Sequence, residues 1–312
     1  MLIESPVAYV GLAVLLVLIL ASVVTFIIKK QQGHSLSTQA VELDQRIRSW
    51  WWMMILLFGC LFLGKLASIT LFMFISYLAL KEFFSTVPTQ HVDRSVLFWA
   101  YLSIPLQYYW VYSAWYGMFL VFIPVYVFLL LPFRRVLTQK AEGFTQAMGI
   151  IHWGVMLSVF CLSHIAFLLQ VDTHSTASSG SSLVLLLLLT TQFNDIAQYI
   201  CGKSFGKHKI IPQISPNKTW EGFIGGVICT TILTSQLAPL LSPFSFSQSL
   251  ILGLIISSMG FVGDVVMSAV KRDLGIKDYS QLIPGHGGIL DRCDSLIYTA
   301  PLFFHYYAYL YY

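Results

Sequence analysis

The chain returns again and again to apolar runs of membrane-crossing length, at roughly 7–28, 50–64, 66–84, 96–112, 116–131, 148–170, 182–201, 222–241, 248–270 and 295–312. An apolar helix needs about 20 residues to cross the hydrocarbon core, and fewer where the bilayer thins, which makes 50–64 and 116–131 the short members of the set. The expectation is an all-α, polytopic integral membrane protein with about 8–10 transmembrane helices. Composition agrees, since 57% of residues are hydrophobic, only 10% are charged and the mean hydropathy is +0.74, outside the range of a soluble globular domain. The first run is too long for a cleavable signal peptide and lacks a basic leader, so it is read as a true span. The chain is read as N-terminal transmembrane helices (1–147), with little sign of chemistry, and a C-terminal transmembrane region (148–312) that carries the two motif-bearing stretches taken up below.

Orientation comes from the basic side chains. Alternate connections carry Lys29, Lys30, Arg46 and Arg48, then Lys81 and Arg94, then Arg134, Arg135 and Lys140, then Lys203, Lys207, Lys209 and Lys218, and last Lys271, Arg272, Lys277 and Arg292. Of the 18 Lys and Arg, only Lys65 lies on the other side. By the positive-inside rule the basic side is cytosolic, and both termini face outward. The net charge of +4 is mostly this asymmetry. It is not a nucleic-acid-binding surface.

Two stretches carry chemistry. In the first, 263–295, Asp264, Asp278, Asp291 and Asp294 alternate with Lys271, Arg272, Lys277 and Arg292 around the turn Pro284-Gly285-His286-Gly287-Gly288. Asp264, Ser268 and Lys271 recur at helical spacing on one face, and Asp291 and Asp294 share a face at the start of the last apolar run. Convergent carboxylates beside lysine and arginine suit Mg²⁺ holding a polyphosphate. The glycines would let backbone N–H groups approach an anion. Charges flanking spans are often only solvated anchors, and glycine-rich turns often only connect; here the combination and its spacing point to a site.

The second stretch is 194–222. Asn194 and Asp195 lie inside an apolar run, where an ionisable side chain costs roughly 2.5 kcal/mol or more at the bilayer centre unless it meets a polar interior. Asp195, Gln198, Tyr199 and Gly202 fall on one helical stripe that should face the site, the alternative being a hydrogen bond between packed spans. Gly202-Lys203, Gly206-Lys207 and Ser215-Pro216-x-Lys218-Thr219-x-Glu221-Gly222 then supply lysines, hydroxyls and glycines suited to phosphate binding at a helix start. The order required for a Walker A loop is absent. Gly222 and Gly226 form a small-xxx-small pair that lets the next helix pack closely.

The spacing Ser268-x-x-Lys271-Arg272, Lys277-Asp278, Pro284 to Gly288 and Asp291-Arg292-x-Asp294 resembles the signature of the CDP-diacylglycerol synthase (phosphatidate cytidylyltransferase) family. The upstream Asn194-Asp195 pair and the Ser215 to Gly222 run resemble that family too, so the likeness covers roughly 190–297. One departure is Gln198 before Tyr199, where many members place Ala. The resemblance implies transfer of a cytidylyl group from CTP to phosphatidate, giving CDP-diacylglycerol and pyrophosphate. It places metal ligands at Asp264, Asp291 and Asp294, for Mg²⁺ and a possible second cation such as K⁺, and it suggests a homodimer.

Phosphatidate is itself an ionised nucleophile, so the protein's task is to neutralise charge and to position two anions that repel each other. Lys271 and Arg272 are expected on phosphate, with Lys218 and Lys203 or Lys207 on the triphosphate or the lipid phosphate. Ser215, Thr219, Asn194 and Asp195 are expected to line the meeting point of head group and nucleotide. Arg292 is either a further phosphate contact or a partner for Asp278, and His286 either donates to phosphate or stabilises the turn. Other readings are a CTP-dependent lipid kinase, disfavoured by the completeness of the signature, and a transporter, disfavoured by charges gathered at one face without an inverted repeat. The charge bias suggests a bacterial inner membrane with the site facing the cytoplasm.

The remainder says little about chemistry. Trp50, Trp51, Trp52, Trp110 and Trp115 fit interfacial belts. Residues 29–49 read as a partly helical surface linker. His152, His164 and His174 are isolated, and the five cysteines form no C-x-x-C pair.

Overall fold

In a computed structural model, the structure describes residues 6–32, 37–88, 93–139, 141–171 and 179–311. Lys140, His174 and most of the 171–181 connection lie outside the described residues. Among the described residues there are ten long helical rods and one hairpin. They are α1 (Pro6–Gln32), α2 (Thr38–Leu63), α3 (Lys65–Thr86), α4 (Arg94–Tyr112), α5 (Tyr116–Val136), α6 (Phe144–Leu168) and α7 (Gly180–Phe205). Strands β1 (Lys209–Ile211) and β2 (Ser215–Thr219) follow, and then α8 (Trp220–Leu241), α9 (Phe246–Asp273) and α10 (Ile289–Tyr311).

Each apolar run has become one rod, and the protein is an all-α polytopic membrane protein. Eight of the rods are long and apolar enough to cross a bilayer; α4 and α10 are the two outside that set. In α10 the first turns hold Asp291, Arg292 and Asp294 and the rest carries His305 and several tyrosines, and in α4 tyrosines, tryptophans and Gln107 likewise lower the hydropathy. The short run 50–64 proves to be the apolar end of a helix of 26 residues, because Ser37 accepts a hydrogen bond from Ala40 N–H and starts the helix a dozen residues early. Most of the 29–49 linker is therefore helix. Similarly, α5 reaches 21 residues. A widened π turn at Phe122–Val127 surrounds Pro124, which has no N–H to give to an α ladder.

The caps follow hydroxyl side chains. Ser179 and Ser182 form a capping box at α7, and Ser245 and Gln248 form another at α9. Thr219 accepts from Gly222 N–H and starts α8 where β2 ends.

Helices α7, α8, α9 and α10 pack closely, and small residues set the distances. A Cβ on Gly226 would collide with the Gln198 side chain. One on Gly263 would lie 2.6 Å from the Asp294 carbonyl oxygen, so glycine there lets α9 touch the start of α10. The other half of the core gathers Phe119, Phe167 and Phe304 around a fully buried His164, which bonds the Phe160 carbonyl at 2.8 Å as a packing residue. Arg135 is also fully buried, in an ion pair with Asp93 at 2.8 Å, so this member of the basic belt holds α5 to the start of α4 and does not meet solvent. All five cysteines are free thiols.

Candidate active site

Where α7, α9 and α10 reach the basic side of the molecule they enclose a polar cavity of about 270 Å³. Gln192, Asp195, Asp264, Lys271, Asp278, Asp291, Arg292 and Asp294 line it. Its construction follows from the helices. Asp264 lies near the end of α9 and Asp294 near the start of α10, and the contact at Gly263 brings them together. Asp195, from α7, accepts a hydrogen bond from Ser295 Oγ at 3.0 Å. The next residue back, Asp294, accepts from Ser295 N–H at 2.8 Å. Asp195, Asp264 and Asp294 are near enough to repel one another electrostatically.

Cations offset this charge. Lys218, at the end of β2, forms an ion pair with Asp264 and stands 5.7 Å from the Phe261 ring centre. Ser268 Oγ donates to Asp264 Oδ1 at 3.3 Å, as the helical spacing predicts. Lys271 meets Asp291 Oδ1 at 2.9 Å. Asp291 is otherwise occupied as well, since its Oδ2 accepts from Tyr279 N–H at 2.8 Å and Gly288 N–H at 3.0 Å. Its Oδ2 thus fastens the 274–288 loop to α10 while its Oδ1 holds Lys271 of α9, and a helix start favours the negative charge.

The glycine turn is folded on itself. Gly285 (φ 73°) and Gly287 (φ 79°) take left-handed backbone that other residues adopt with strain. The His286 N–H donates to the Ile283 carbonyl and the Gly288 N–H to Asp291, so neither is open to an anion. Tyr279 in the same loop is buried, and its hydroxyl has no hydrogen-bond partner among the described residues. Burial, with Asp291 and Asp294 nearby, pushes its pKa up, so it stays protonated.

The second stretch divides. Lys218 and Asp195 reach the cavity region. Asn194 is fully buried between helices, its Oδ1 accepting from Gln198 at 3.0 Å and Thr230 at 3.3 Å, and it takes the interhelical role. Tyr199 is 67% exposed and points away from the site, beneath Lys203 at 5.8 Å, so the stripe does not face the cavity as one surface. The reason is that Gln198 turns into the α8 contact. Lys203 and Lys207 are exposed outside the cavity. Thr219 is used as a helix cap, and Ser215 pairs with Ile211 across a hairpin, in the stretch whose residue types suggested phosphate binding. Arg272 donates from Nε to the Ile214 carbonyl at 3.2 Å and holds that hairpin.

Several participants escaped the sequence reading. Glu82 of α3 is 6% exposed and accepts from Ser280 Oγ (2.6 Å), Ile289 N–H (3.0 Å) and Leu290 N–H (2.8 Å), capping α10 from a distant part of the chain. Ser49 Oγ donates to the Pro284 carbonyl at 2.8 Å, and Trp50 stands edge-on to His286 at 6.1 Å. Gln192 lies one turn before Asp195 and could have been found by extending the stripe backwards. No local pattern marks Glu82.

For a metal, the donor chemistry fits a hard cation, because only carboxylate, amide and ammonium or guanidinium side chains line the cavity and no thiol or imidazole does. Among the described residues, no three His, Cys, Asp or Glu side chains converge as a closed ligand set. Asp195 and Asp294 each use Oδ1 to accept a hydrogen bond from Ser295, and among the described residues no hydrogen bond or ion pair engages the Oδ2 of either.

A sequence model of the cytidylyltransferase family matches residues 44–310. The chain belongs to the cytidylyltransferase family. It is a membrane-embedded, CTP-dependent nucleotidyltransferase. The uncharacterized protein YnbB of Escherichia coli K12 is 46% identical over 268 residues, covering 86% of this chain and 88% of the relative. A phosphatidate cytidylyltransferase of Staphylococcus aureus strain COL is 41% identical over 151 residues, and one of Staphylococcus haemolyticus is 40% identical over 155. These two matches span 47% of this chain and 58% of each relative's own length.

Proposed function

We propose that the chain transfers the cytidylyl group of CTP to phosphatidate, releasing pyrophosphate and forming CDP-diacylglycerol. The observation that supports this reading best is the cavity at which Asp195, Asp264 and Asp294, from three different helices, face Lys271 and Arg292 at the end of the membrane-embedded bundle. A lipid phosphate can enter such a place without its acyl chains leaving the bilayer, while the nucleotide comes from the aqueous side. In this reading that side is the cytoplasm and the membrane is a bacterial inner membrane, consistent with the basic belt.

Asp264 and Asp294 would hold Mg²⁺, with Asp195 adjacent, and Asp291, whose oxygens are both engaged, would instead hold the loop. When bound, the ion supplies charge neutralisation at the phosphates and polarises the α-phosphoryl group. The chain's own residues do the rest. Lys218 can exchange its Asp264 partner for a phosphate oxygen, and Arg292 and Lys271 are placed to neutralise charge as pyrophosphate departs. In the transfer, the phosphatidate oxygen forms a bond to the α-phosphorus of CTP and the bond to the bridging oxygen of pyrophosphate breaks. No strong general base is needed, because the nucleophile is already ionised.

The reading is tested with purified protein in detergent, phosphatidate and CTP, following CDP-diacylglycerol with Mg²⁺ present or chelated. Product that appears only with the divalent cation supports it. Absence of product under both conditions, with folded protein, overturns it.

A further inference from the structure

A second and larger cavity, about 640 Å³, lies beside the first. Asp278 and Arg292 line both. One wall is the polar start of α2, with Glu42, Gln45 and Arg46, and the opposite wall is the turn from Ile283 to Gly287. The two walls are fastened together. Ser49 donates to the Pro284 carbonyl, Trp50 abuts His286, and a Cβ on Gly285 would stand 3.0 Å from Arg46 Cγ. Within this wall, His286 Nδ1 is buried and has no hydrogen-bond partner among the described residues.

A molecule with its phosphates in the carboxylate cavity can extend past Asp278 and Arg292 into this one, whose size suits a nucleoside. Glu42 and Arg46 present a distinctive pair of groups there, one turn apart, with Arg46 donating to Glu42 Oε1 at 2.5 Å. Cytosine has two adjacent acceptors, O2 and N3, and an exocyclic amine that donates. Guanidinium and carboxylate side by side match that sequence of groups. Uracil presents N3–H and a carbonyl in the last two places and matches it poorly, and a carboxylate accepting from the cytosine amine is an established pairing.

We propose that Glu42 and Arg46 read the base of the nucleotide substrate, Arg46 donating to O2 and N3 and Glu42 accepting from the exocyclic amine. The proposal rests on CTP being that substrate. It gives the polar start of α2 a role in specificity.

The test compares wild type, Glu42→Gln and Arg46→Gln as full-length protein in detergent, with KM values for CTP and phosphatidate and the ratio of kcat/KM for CTP over UTP. Both side chains are about half exposed, so folding is preserved, which the melting temperature verifies. Each variant is expected to raise KM for CTP about tenfold and to lower the CTP-to-UTP ratio by about the same factor, with KM for phosphatidate unchanged. An unchanged CTP-to-UTP ratio in both variants overturns the proposal while the cytidylyltransferase reading stands. A shift confined to KM for phosphatidate overturns it too, and assigns the cavity to the lipid head group. Failure of wild type to use CTP overturns both.

Discussion

The Glu82 carboxylate accepts the Leu290 N–H at 2.8 Å and occupies the space a side chain at Gly288 would need. A residue of the third helix thereby caps the tenth, at the point where Asp291 and Asp294 enter the cavity. This contact ties the N-terminal part of the chain to the geometry of the site.

Glu82→Ala leaves the Ile289 and Leu290 N–H groups without their acceptor in a buried place. It should destabilise the protein by about 2 kcal/mol, the scale of a lost helix cap with buried donors. Ser280→Ala, which removes only the 2.6 Å hydroxyl contact, should cost less. Thermal unfolding in detergent measures both, and equal effects from the two variants would contradict the cap.

Lys271 and Asp291 are only 14% and 2% exposed and should behave as a buried pair. Lys271→Met alone strands a buried carboxylate and should cost about 3 kcal/mol, and adding Asp291→Asn should recover part of that loss. A double-mutant cycle with no coupling would contradict the pairing.

How far the sequence could be read depended on how local each signal is. Apolar runs found every rod because a lipid-crossing helix is recorded in consecutive residues. Residues 29–49 read as only partly helical, and the start of α2 within them was not placed, because the run-length signal stops at Trp50 whereas the helix is started by the Ser37 hydroxyl. Asp195 stands out in the sequence because an ionisable side chain inside an apolar run is costly, and Asp264, Asp294 and Lys218 because of their spacing among other charged residues; the structure brings these four side chains together. The hydroxyls of Ser215 and Thr219 were not legible, because a helix cap and a phosphate contact favour the same residues. Glu82 is illegible for a different reason: its partners lie more than half the chain away.

His286 is half-buried, and burial, together with the Arg292 and Arg46 charges, holds its pKa below the ordinary 6.5, partly offset by the Pro284 backbone. The folded protein therefore binds this proton less readily than the unfolded chain does. Its contribution to stability is present above pH 6.5 and is lost as pH falls below that value. Melting temperature should drop on acidification, and His286→Gln should flatten the drop. A variant with the same pH profile as wild type would show that the titration lies elsewhere.

Gly226 should tolerate no side chain while Gln198 is in place. Gly226→Ala forces the Gln198 side chain out of the α7 and α8 contact, and overpacking of this kind costs about 1–3 kcal/mol. Gln198→Ala in the same molecule should restore much of the stability, at the cost of the hydrogen bond to Asn194. Additive losses in the double variant would mean that the two residues do not meet.

Cytidylyl transfer at the carboxylate cavity can be followed with CTP labelled separately at the α and γ phosphates, supplied with phosphatidate and Mg²⁺ to wild type and Asp294→Asn. Expected are α label in the lipid fraction, γ label in pyrophosphate, and a loss of at least about a hundredfold in the variant, as when transition-state charge loses a fixed partner. Label from the γ phosphate entering a lipid alcohol, or α label entering lipid equally well in Asp294→Asn, would contradict it.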